Sequence, residues 1–168
     1  KKTPTNVNGI KMKTIKVWAL DLKVIKTIHN IKRVVASHPR VRTIYLTDDD
    51  FCIVKKGVIR FCEKIIHEKK TGGIPKNLTF MAFCRASDAN EEMFKWMKKA
   101  NFRRLNIGIE SFSNKVLKEM NKRCTVEENH HCLKISKEIG VGAYCNIIVT
   151  TPESTLEDVE ATVNSAYN

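Results

Sequence analysis

The 168-residue chain lacks several features that would point directly to a function. No apolar run approaches the ~20 residues that a membrane span needs, and residues 1–6 lack the apolar stretch of a secretion signal. Neither a P-loop nor the GxGxxG motif of dinucleotide sites is present. We therefore predict a cytoplasmic protein with no membrane partner.

Paired cysteine motifs are also missing. The sequence has six cysteines, yet none of their spacings gives CxxC or CxxxCxxC. Free cysteine behaves as a small buried hydrophobe, and disulfides are not expected in a cytoplasmic chain. We predict structural thiols, and neither an iron–sulfur cluster nor a zinc site built from this chain alone. The cysteines are Cys52, Cys62, Cys84, Cys124, Cys132 and Cys145.

Negative charge is scarce, because 30 Lys and Arg stand against 18 Asp and Glu and give a net charge of +12. Such a balance is compatible with a nucleic-acid partner. The lysines, however, are spread along nearly every predicted helix, and no arginine-rich or aromatic-interleaved stripe is present. Nucleic acid is therefore a partner that the sequence allows but does not favour.

Helix and strand patterns alternate along the chain. Apolar residues at steps of three and four predict a leading helix over Trp18–Ser37, and residues 1–16 before it are predicted to be a linker or disordered. Ser113 is a predicted helix N-cap, Thr125 and Glu128 a capping box, and Gly140 a C-cap. The other predicted elements are strands at 43–47, 78–84, 105–109 and 143–150, a helix around Val58–Ile66, a helix over 91–100, and a last helix that opens at Thr155 with Leu156, Val159 and Val163 inward.

This order predicts an α/β fold with parallel strands and right-handed crossovers. Strands of that kind have both faces covered. Two architectures remain, a doubly wound sheet and an arc of a βα barrel. The leading helix has no strand before it and the final helix none after it, which favours the barrel. We expect residues 1–168 to form one domain, a partial (βα) TIM-type barrel of four parallel βα units plus the leading helix.

Polar residues follow each predicted strand at its carboxyl end, where ligands of parallel α/β folds bind. Acids, an arginine and hydroxyls would converge there and suit a zwitterionic ligand with hydroxyl groups. Three alternatives stay open: the aspartates cap the next helix, they bind Mg²⁺, or Arg85 is an ordinary surface residue. The candidates are Asp48, Asp49, Arg85, Glu110, Ser111 and Ser154; Asp50 completes the aspartate run after the first strand.

Four motifs together resemble the radical S-adenosylmethionine (SAM) superfamily. Residues 106–113 (NIGIESFS), with 116–127 after them, look like the family's fourth-strand signature. Residues 46–51 (LTDDDF) are similar to the second-strand "F.DD.F" of the cobalamin-binding type. Residues 93–102 resemble the helix before the fourth strand, and residues 147–159 align without gaps to the fifth-strand "IVG.PGET.EDV". The resemblance covers roughly residues 43–166.

The resemblance implies a [4Fe-4S] cluster held by three cysteines, SAM bound to it, and a 5′-deoxyadenosyl radical that abstracts a substrate hydrogen. It implies Asp48 or Asp49 for the SAM amino group and Arg85 for the carboxylate. Glu110 and Ser111 would meet the ribose or methionine, and Ser154 lies in the fifth-strand motif. In the cobalamin-binding type, cobalamin is a further cofactor.

The sequence departs from the family pattern in two ways. Thr150 and Glu153 stand where the family has glycines beside the adenine, and Asn101 and Arg123 also occupy usual glycine positions. The family's CxxxCxxC loop is absent, and we expect it to precede the helix at Trp18 in a longer parent, beyond the start of this sequence.

We therefore expect the central segment of a radical SAM oxidoreductase or methyltransferase, inert alone, with the remainder of its barrel as partner and an unknown substrate. Two alternatives remain, a tRNA-modifying radical SAM enzyme and a degenerate barrel that serves as a scaffold. An open barrel arc exposes strand edges, so the isolated fragment is expected to self-associate; sedimentation as a stable monomer would contradict this.

Overall fold

The computed structural model describes the backbone of residues 7–48 and 50–167, and the side chains of residues 22–48 and 50–167. Helices and strands alternate along this chain, and a short 3₁₀ turn, Ala86–Asp88, follows the second strand. The elements are α1 (Val7–Ser37), β1 (Thr43–Leu46), α2 (Lys55–Thr71), β2 (Thr79–Arg85), α3 (Glu91–Lys99), β3 (Phe102–Glu110), α4 (Asn114–Glu119), α5 (Val126–Ile139), β4 (Gly142–Ile147) and α6 (Leu156–Tyr167).

The four strands form one parallel sheet in the order β1-β2-β3-β4. A doubly wound sheet reverses its strand order at a switch point, whereas the strands of a βα barrel follow one another around the sheet. The sequential order therefore confirms the partial barrel with four parallel βα units. In the register, Arg85 at the end of β2 pairs with Gly108 of β3.

Helices cover one face of this sheet and form the core there. In β2 the alternate residues Phe80, Ala82 and Cys84 are buried against the helices. The Phe80 ring lies 5.5 Å from the Phe102 ring and 6.0 Å from the Phe61 ring of α2, between centroids. Aromatic contacts of this kind add to the stabilisation from apolar burial. This core fixes the strand ends that carry the candidate site.

The opposite face of the sheet is only half covered, so the prediction that both faces are covered is wrong for this chain. Tyr45 and Tyr144 on that face are 38% and 55% exposed. Phe83 lies 5.3 Å from Tyr45 between ring centroids, and the side-chain amide of Asn106 donates a hydrogen bond to the Tyr45 hydroxyl at 2.5 Å. In a closed barrel this face is the interior.

The predicted helix ends are confirmed at three places. The Ser113 hydroxyl accepts a hydrogen bond from the Val116 N–H. Thr125 and Glu128 form both hydrogen bonds of a capping box, and Gly140 takes a left-handed C-cap conformation with φ of 75°. Each of these signals is local, since the capping residue contacts only the adjacent helical turn.

Other boundaries differ from the prediction. The leading helix begins at Val7 rather than at Trp18, so it includes residues 7–16, which were predicted to be a linker or disordered. β4 ends at Ile147 instead of extending to residue 150. Leu156 is 73% exposed, and the buried residue of α6 is Thr162. No helix among the described residues is long and apolar enough to cross a membrane.

Candidate functional site

The described candidate residues lie near the carboxyl ends of the strands, a region that we call the carboxyl rim. Arg85 is the last residue of β2 and Glu110 the last residue of β3. Because the carboxyl ends of parallel strands all lie at the same end of the sheet, both residues lie on the carboxyl rim. The sequence-based prediction of a shared rim therefore holds for these two residues.

Glu110 and Lys122 come together over Gly108, and Arg85 is the neighbour of Gly108 on β2. The Lys122 ammonium donates a hydrogen bond to Glu110 Oε1 at 2.7 Å, and their side chains are 22% and 18% exposed. Both charged atoms lie 2.7 Å from the position that a Cβ on Gly108 would occupy. Glycine at 108 thus leaves the space in which this ion pair lies, directly beside the register position of Arg85.

The backbone of Glu110 is strained. Its φ is 62°, in the left-handed region that residues other than glycine rarely adopt. The Ser111 N–H donates to the Ile109 carbonyl at 2.8 Å, which makes Glu110 the middle of a three-residue turn. The Glu110 carbonyl accepts from the Ile148 N–H at 2.7 Å. Strain of this kind concentrates at functional sites, and here it sets the direction of one carboxylate.

Asp50 forms a second acidic position on the rim. Its side chain is 6% exposed, and Oδ2 lies 3.4 Å from Arg85 Nε yet accepts no hydrogen bond from a described residue. Oδ1 accepts from the Cys52 N–H at 3.2 Å. Burial, with the neighbouring Asp88 carboxylate, raises the pKa of Asp50 to about 6, and Arg85 opposes this rise.

The proposed capping role of the aspartates is wrong. Helix α2 begins at Lys55, and its N-cap is Val54, which makes no side-chain capping bond. Asp48 is exposed on the loop after β1. Asp49 lies outside the described residues, so its predicted contact with the SAM amino group stays a prediction, as does that of Asp48. Among the three aspartates, the structure directs attention to Asp50.

Ser111 is buried between β3 and α6. Its hydroxyl is within 3.0 Å of the Thr162 hydroxyl and accepts a hydrogen bond from the Ser113 N–H. The side-chain amide of Asn129 donates to the carbonyls of Ile109 and Ser111 at 3.1 and 3.0 Å. These bonds position the end of β3 and hence Glu110. The predicted contact of Ser111 with SAM remains a prediction.

Ser154 holds the turn after β4. Its hydroxyl accepts a hydrogen bond from the Thr151 N–H at 2.8 Å and lies 2.8 Å from the Thr151 hydroxyl. Thr150 and Glu153 are exposed, and neither is among the described residues with positive φ. The backbone at these two positions, where the family usually has glycine, therefore does not require glycine. The effect of the Thr150 and Glu153 side chains on an adenine pocket stays a prediction.

The residues around Gly108 include two that the prediction did not choose, Gly108 itself and Lys122. Both were inside the motifs that carried the resemblance, and Asp50 was inside the aspartate run. Asn129 gave no sequence signal, because an asparagine within a helix is ordinarily solvent-exposed. Its partners lie 18 and 20 residues away along the chain.

No metal site is formed by the described residues. Among them, no group of three or more His, Cys, Asp or Glu side chains could hold a metal ion. All six cysteines are free, and burial raises the pKa of Cys62 and Cys132 above that of an ordinary thiol. Since cluster ligands must be thiolates, a [4Fe-4S] cluster does not fit this part of the chain.

A comparison with models of protein families identifies the superfamily of this chain. The model of the radical SAM superfamily matches residues 13–166. The chain belongs to this superfamily, whose members use SAM and a [4Fe-4S] cluster.

Relatives and solved structures agree with this membership. An uncharacterized methyltransferase of Pyrococcus horikoshii is 30% identical over 126 residues, which cover 75% of this chain and 26% of that protein. The anaerobic magnesium-protoporphyrin IX monomethyl ester cyclase of Cereibacter sphaeroides is 27% identical over 145 residues, covering 85% of this chain and 23% of that protein. The chain thus spans about a quarter of the length of these relatives.

Two solved structures share the fold. The radical SAM methyltransferase TsrM from Kitasatospora setae, with cobalamin and a [4Fe-4S] cluster bound, has a TM-score of 0.72 at 18% identity, covering 86% of this chain and 28% of that chain. The cobalamin-dependent SAM radical enzyme OxsB, with aqua-cobalamin bound, has a TM-score of 0.73 at 20% identity, covering 86% and 22%.

Proposed function

We propose that this chain is the SAM-binding sector of a larger cytoplasmic radical SAM enzyme, a methyltransferase or oxidoreductase of the cobalamin-dependent type. The observation that carries the proposal is the Glu110–Lys122 ion pair over Gly108, with Arg85 at the adjacent register position of β2 on the same carboxyl rim. Family membership and the names of the relatives support the reaction class.

The rim residues have the chemistry that a SAM molecule requires. Asp50 Oδ2 is fully buried and lies 3.4 Å from Arg85 Nε, so Asp50 positions the Arg85 guanidinium. Asp48 or Asp49 remains the proposed partner of the SAM ammonium group. The Arg85 side chain is 57% exposed and can pair with the SAM carboxylate through two parallel hydrogen bonds. Glu110 can accept hydrogen bonds from a ribose diol. SAM supplies a radical precursor or a methyl group when it is bound; the chain's residues bind and orient it.

Lys122 determines how many lone pairs of the Glu110 carboxylate remain available to a ligand. While the ion pair is closed, the Lys122 ammonium uses one Glu110 oxygen, and the second oxygen and the remaining lone pairs can accept from a ligand. The same ion pair offsets the charge of a half-buried carboxylate. Lys122 is therefore a positioning residue in this proposal, and it keeps the Glu110 side chain directed over Gly108.

SAM binding by the chain tests the proposal. Equilibrium dialysis with radiolabelled SAM should detect saturable binding, and Glu110→Gln should weaken it about 10-fold, the effect of one lost charge-assisted hydrogen bond. The matched control is Glu119→Gln, which removes the same charge from an exposed residue of α4 and should leave binding unchanged. Circular dichroism should give the same helix content for all three proteins.

A folded chain that binds no SAM would contradict the proposal and would favour the scaffold alternative. That alternative has one observation in its favour, since Arg85 and Glu110 already have ion-pair partners within the chain, Asp50 and Lys122. Equal loss of SAM binding in the two glutamate variants would also contradict the assigned role of Glu110.

A further inference from the structure

A cavity of about 270 Å³ lies at the opposite end of the sheet from the carboxyl rim. Four lysines and one isoleucine line it: Ile66, Lys69, Lys70, Lys76 and Lys99. We call it the lysine cavity. It lies where β2 and β3 begin, because Lys69 donates hydrogen bonds to the carbonyls of Leu78 and Ala100, which precede these strands. No acidic side chain is among its lining residues.

The cavity's lysines have no ion-pair partner among the described residues, whose ion pairs all use other cations. Lys70, Lys76 and Lys99 are exposed, so their ammonium groups can reach a ligand. Converging like charges destabilise the compact state, and an anion bound between them removes that repulsion. Part of the +12 net charge, which is spread evenly in the sequence, thus converges on this cavity.

Several contacts hold this cavity in shape. Lys69 is 7% exposed and is fixed by its two backbone carbonyls. The Lys99 ammonium lies 4.9 Å from the centroid of the Trp96 ring. The loop that carries Lys76 is tied to the start of β3, since the Asn101 side chain donates to the Lys76 carbonyl at 3.1 Å. A site fixed before binding loses less entropy when a ligand enters.

Helix dipoles explain part of this cluster. Lys69, Lys70 and Lys99 lie in the last turns of α2 and α3, where cations are favoured whether or not a ligand binds. Lys76 lies in the loop between α2 and β2 and gains nothing from a helix end. Its position in the cavity beside three other cations, without an acid, is the feature that indicates a ligand.

We propose that the lysine cavity binds adjacent phosphate groups, either those of a compact polyphosphate or those of a nucleic-acid backbone. The cavity volume is several times the ~30 Å³ that one water molecule occupies in the liquid, which is enough for two or three linked phosphates. Lysine ammonium groups bind phosphate as point charges. This site is independent of the proposed SAM site, which lies on the opposite rim.

Isothermal titration calorimetry with inorganic tripolyphosphate at low ionic strength tests this site. The double variant Lys70→Gln/Lys76→Gln should bind at least about 10-fold more weakly than the wild type. The matched control is Lys26→Gln/Lys134→Gln, which removes two charges from exposed positions of α1 and α5. Lys69 is not substituted, because its loss would leave two buried carbonyls without a donor.

The control variant should retain wild-type affinity. Absence of binding by the wild type, or an equal loss in both double variants, would overturn the proposal, since the second result would mean attraction to net charge alone. A single-stranded oligonucleotide without terminal phosphates then distinguishes the two sources. Mutual competition with tripolyphosphate would identify a nucleic-acid backbone, and absence of competition a compact polyphosphate.

Discussion

At the scale of single residues, Asp50 is the carboxyl whose protonation depends most on the fold. Its pKa lies at about 6 in the folded chain, against 3.8 for an ordinary aspartate, chiefly because it is buried. The folded state therefore binds more protons than the unfolded state between these two values. By linkage, the contribution of Asp50 to stability falls as the pH rises from about 4 to about 6.

We expect Asp50→Asn, which mimics the protonated acid, to gain stability relative to the wild type as the pH increases. The stability of the variant relative to the wild type should be clearly greater at pH 7.5 than at pH 4.5. The control is Asp48→Asn, which removes one carboxylate from an exposed position of the same loop. A difference between Asp50→Asn and the wild type that is the same at both pH values would contradict the raised pKa.

Residue-level prediction succeeded where the signal was local and failed where the partner was distant in sequence. Glu110 was predicted because an acid directly follows an apolar strand, and the structure places it on the rim. The burial of Ser111 depends on Thr162, which lies 51 residues away. No pattern within either segment contains that contact. The same holds for Lys122, whose importance arises only when Gly108 leaves space for it.

At the scale of the elements, two positions at which the family usually has glycine have a left-handed backbone conformation in this chain. Asn101 follows α3 with φ of 71°, and Arg123 follows α4 with φ of 52°. Asparagine tolerates this conformation, whereas a long side chain is strained in it. These departures from the family pattern therefore have a physical consequence at the helix ends.

We expect Arg123→Gly to raise the free energy of unfolding by about 1 kcal/mol, as the strain relieved exceeds the added entropy of the unfolded chain. Urea denaturation followed by circular dichroism measures the change. Arg103→Gly is the control, because Arg103 is exposed in β3 and has no positive φ; this substitution should lower stability by about 0.5–1 kcal/mol. If Arg123→Gly is less stable than the wild type, the Arg123 side chain stabilises the fold by more than its left-handed backbone destabilises it.

Prediction of the elements was accurate for their order and type and less so for their ends. Caps were predicted because each depends on neighbours within a single turn. The early end of β4 and the exposure of Leu156 depend on which surfaces the rest of the chain covers. Ile148 and Val149, for example, are apolar but 39% and 52% exposed, so their hydrophobicity suggested a longer strand than the sheet contains.

At the scale of the whole molecule, the order of helices and strands in the sequence predicted the βα units. It was compatible with both a doubly wound sheet and a barrel arc, and the arc was favoured because neither the first nor the last predicted helix had a strand beyond it. The strand order settles that choice. The half-covered inner face follows from the same geometry, since the arc alone does not enclose it. The two ends of the sheet differ in charge chemistry, with the ion pairs Asp50–Arg85 and Glu110–Lys122 at the carboxyl rim and, lining the cavity at the other end, lysines that have no ion-pair partner among the described residues.

The most direct test of the central claim locates SAM on the chain. Titration of SAM into the ¹⁵N-labelled protein, followed by nuclear magnetic resonance, reports binding residue by residue. The account predicts that the amide signals of Arg85, Gly108 and Glu110 shift together and saturate, while those of Gly73 and Ala100 at the amino ends of the strands do not move. Unchanged signals at Gly108 and Glu110, or shifts confined to the amino ends, would contradict the proposal that the carboxyl rim binds SAM.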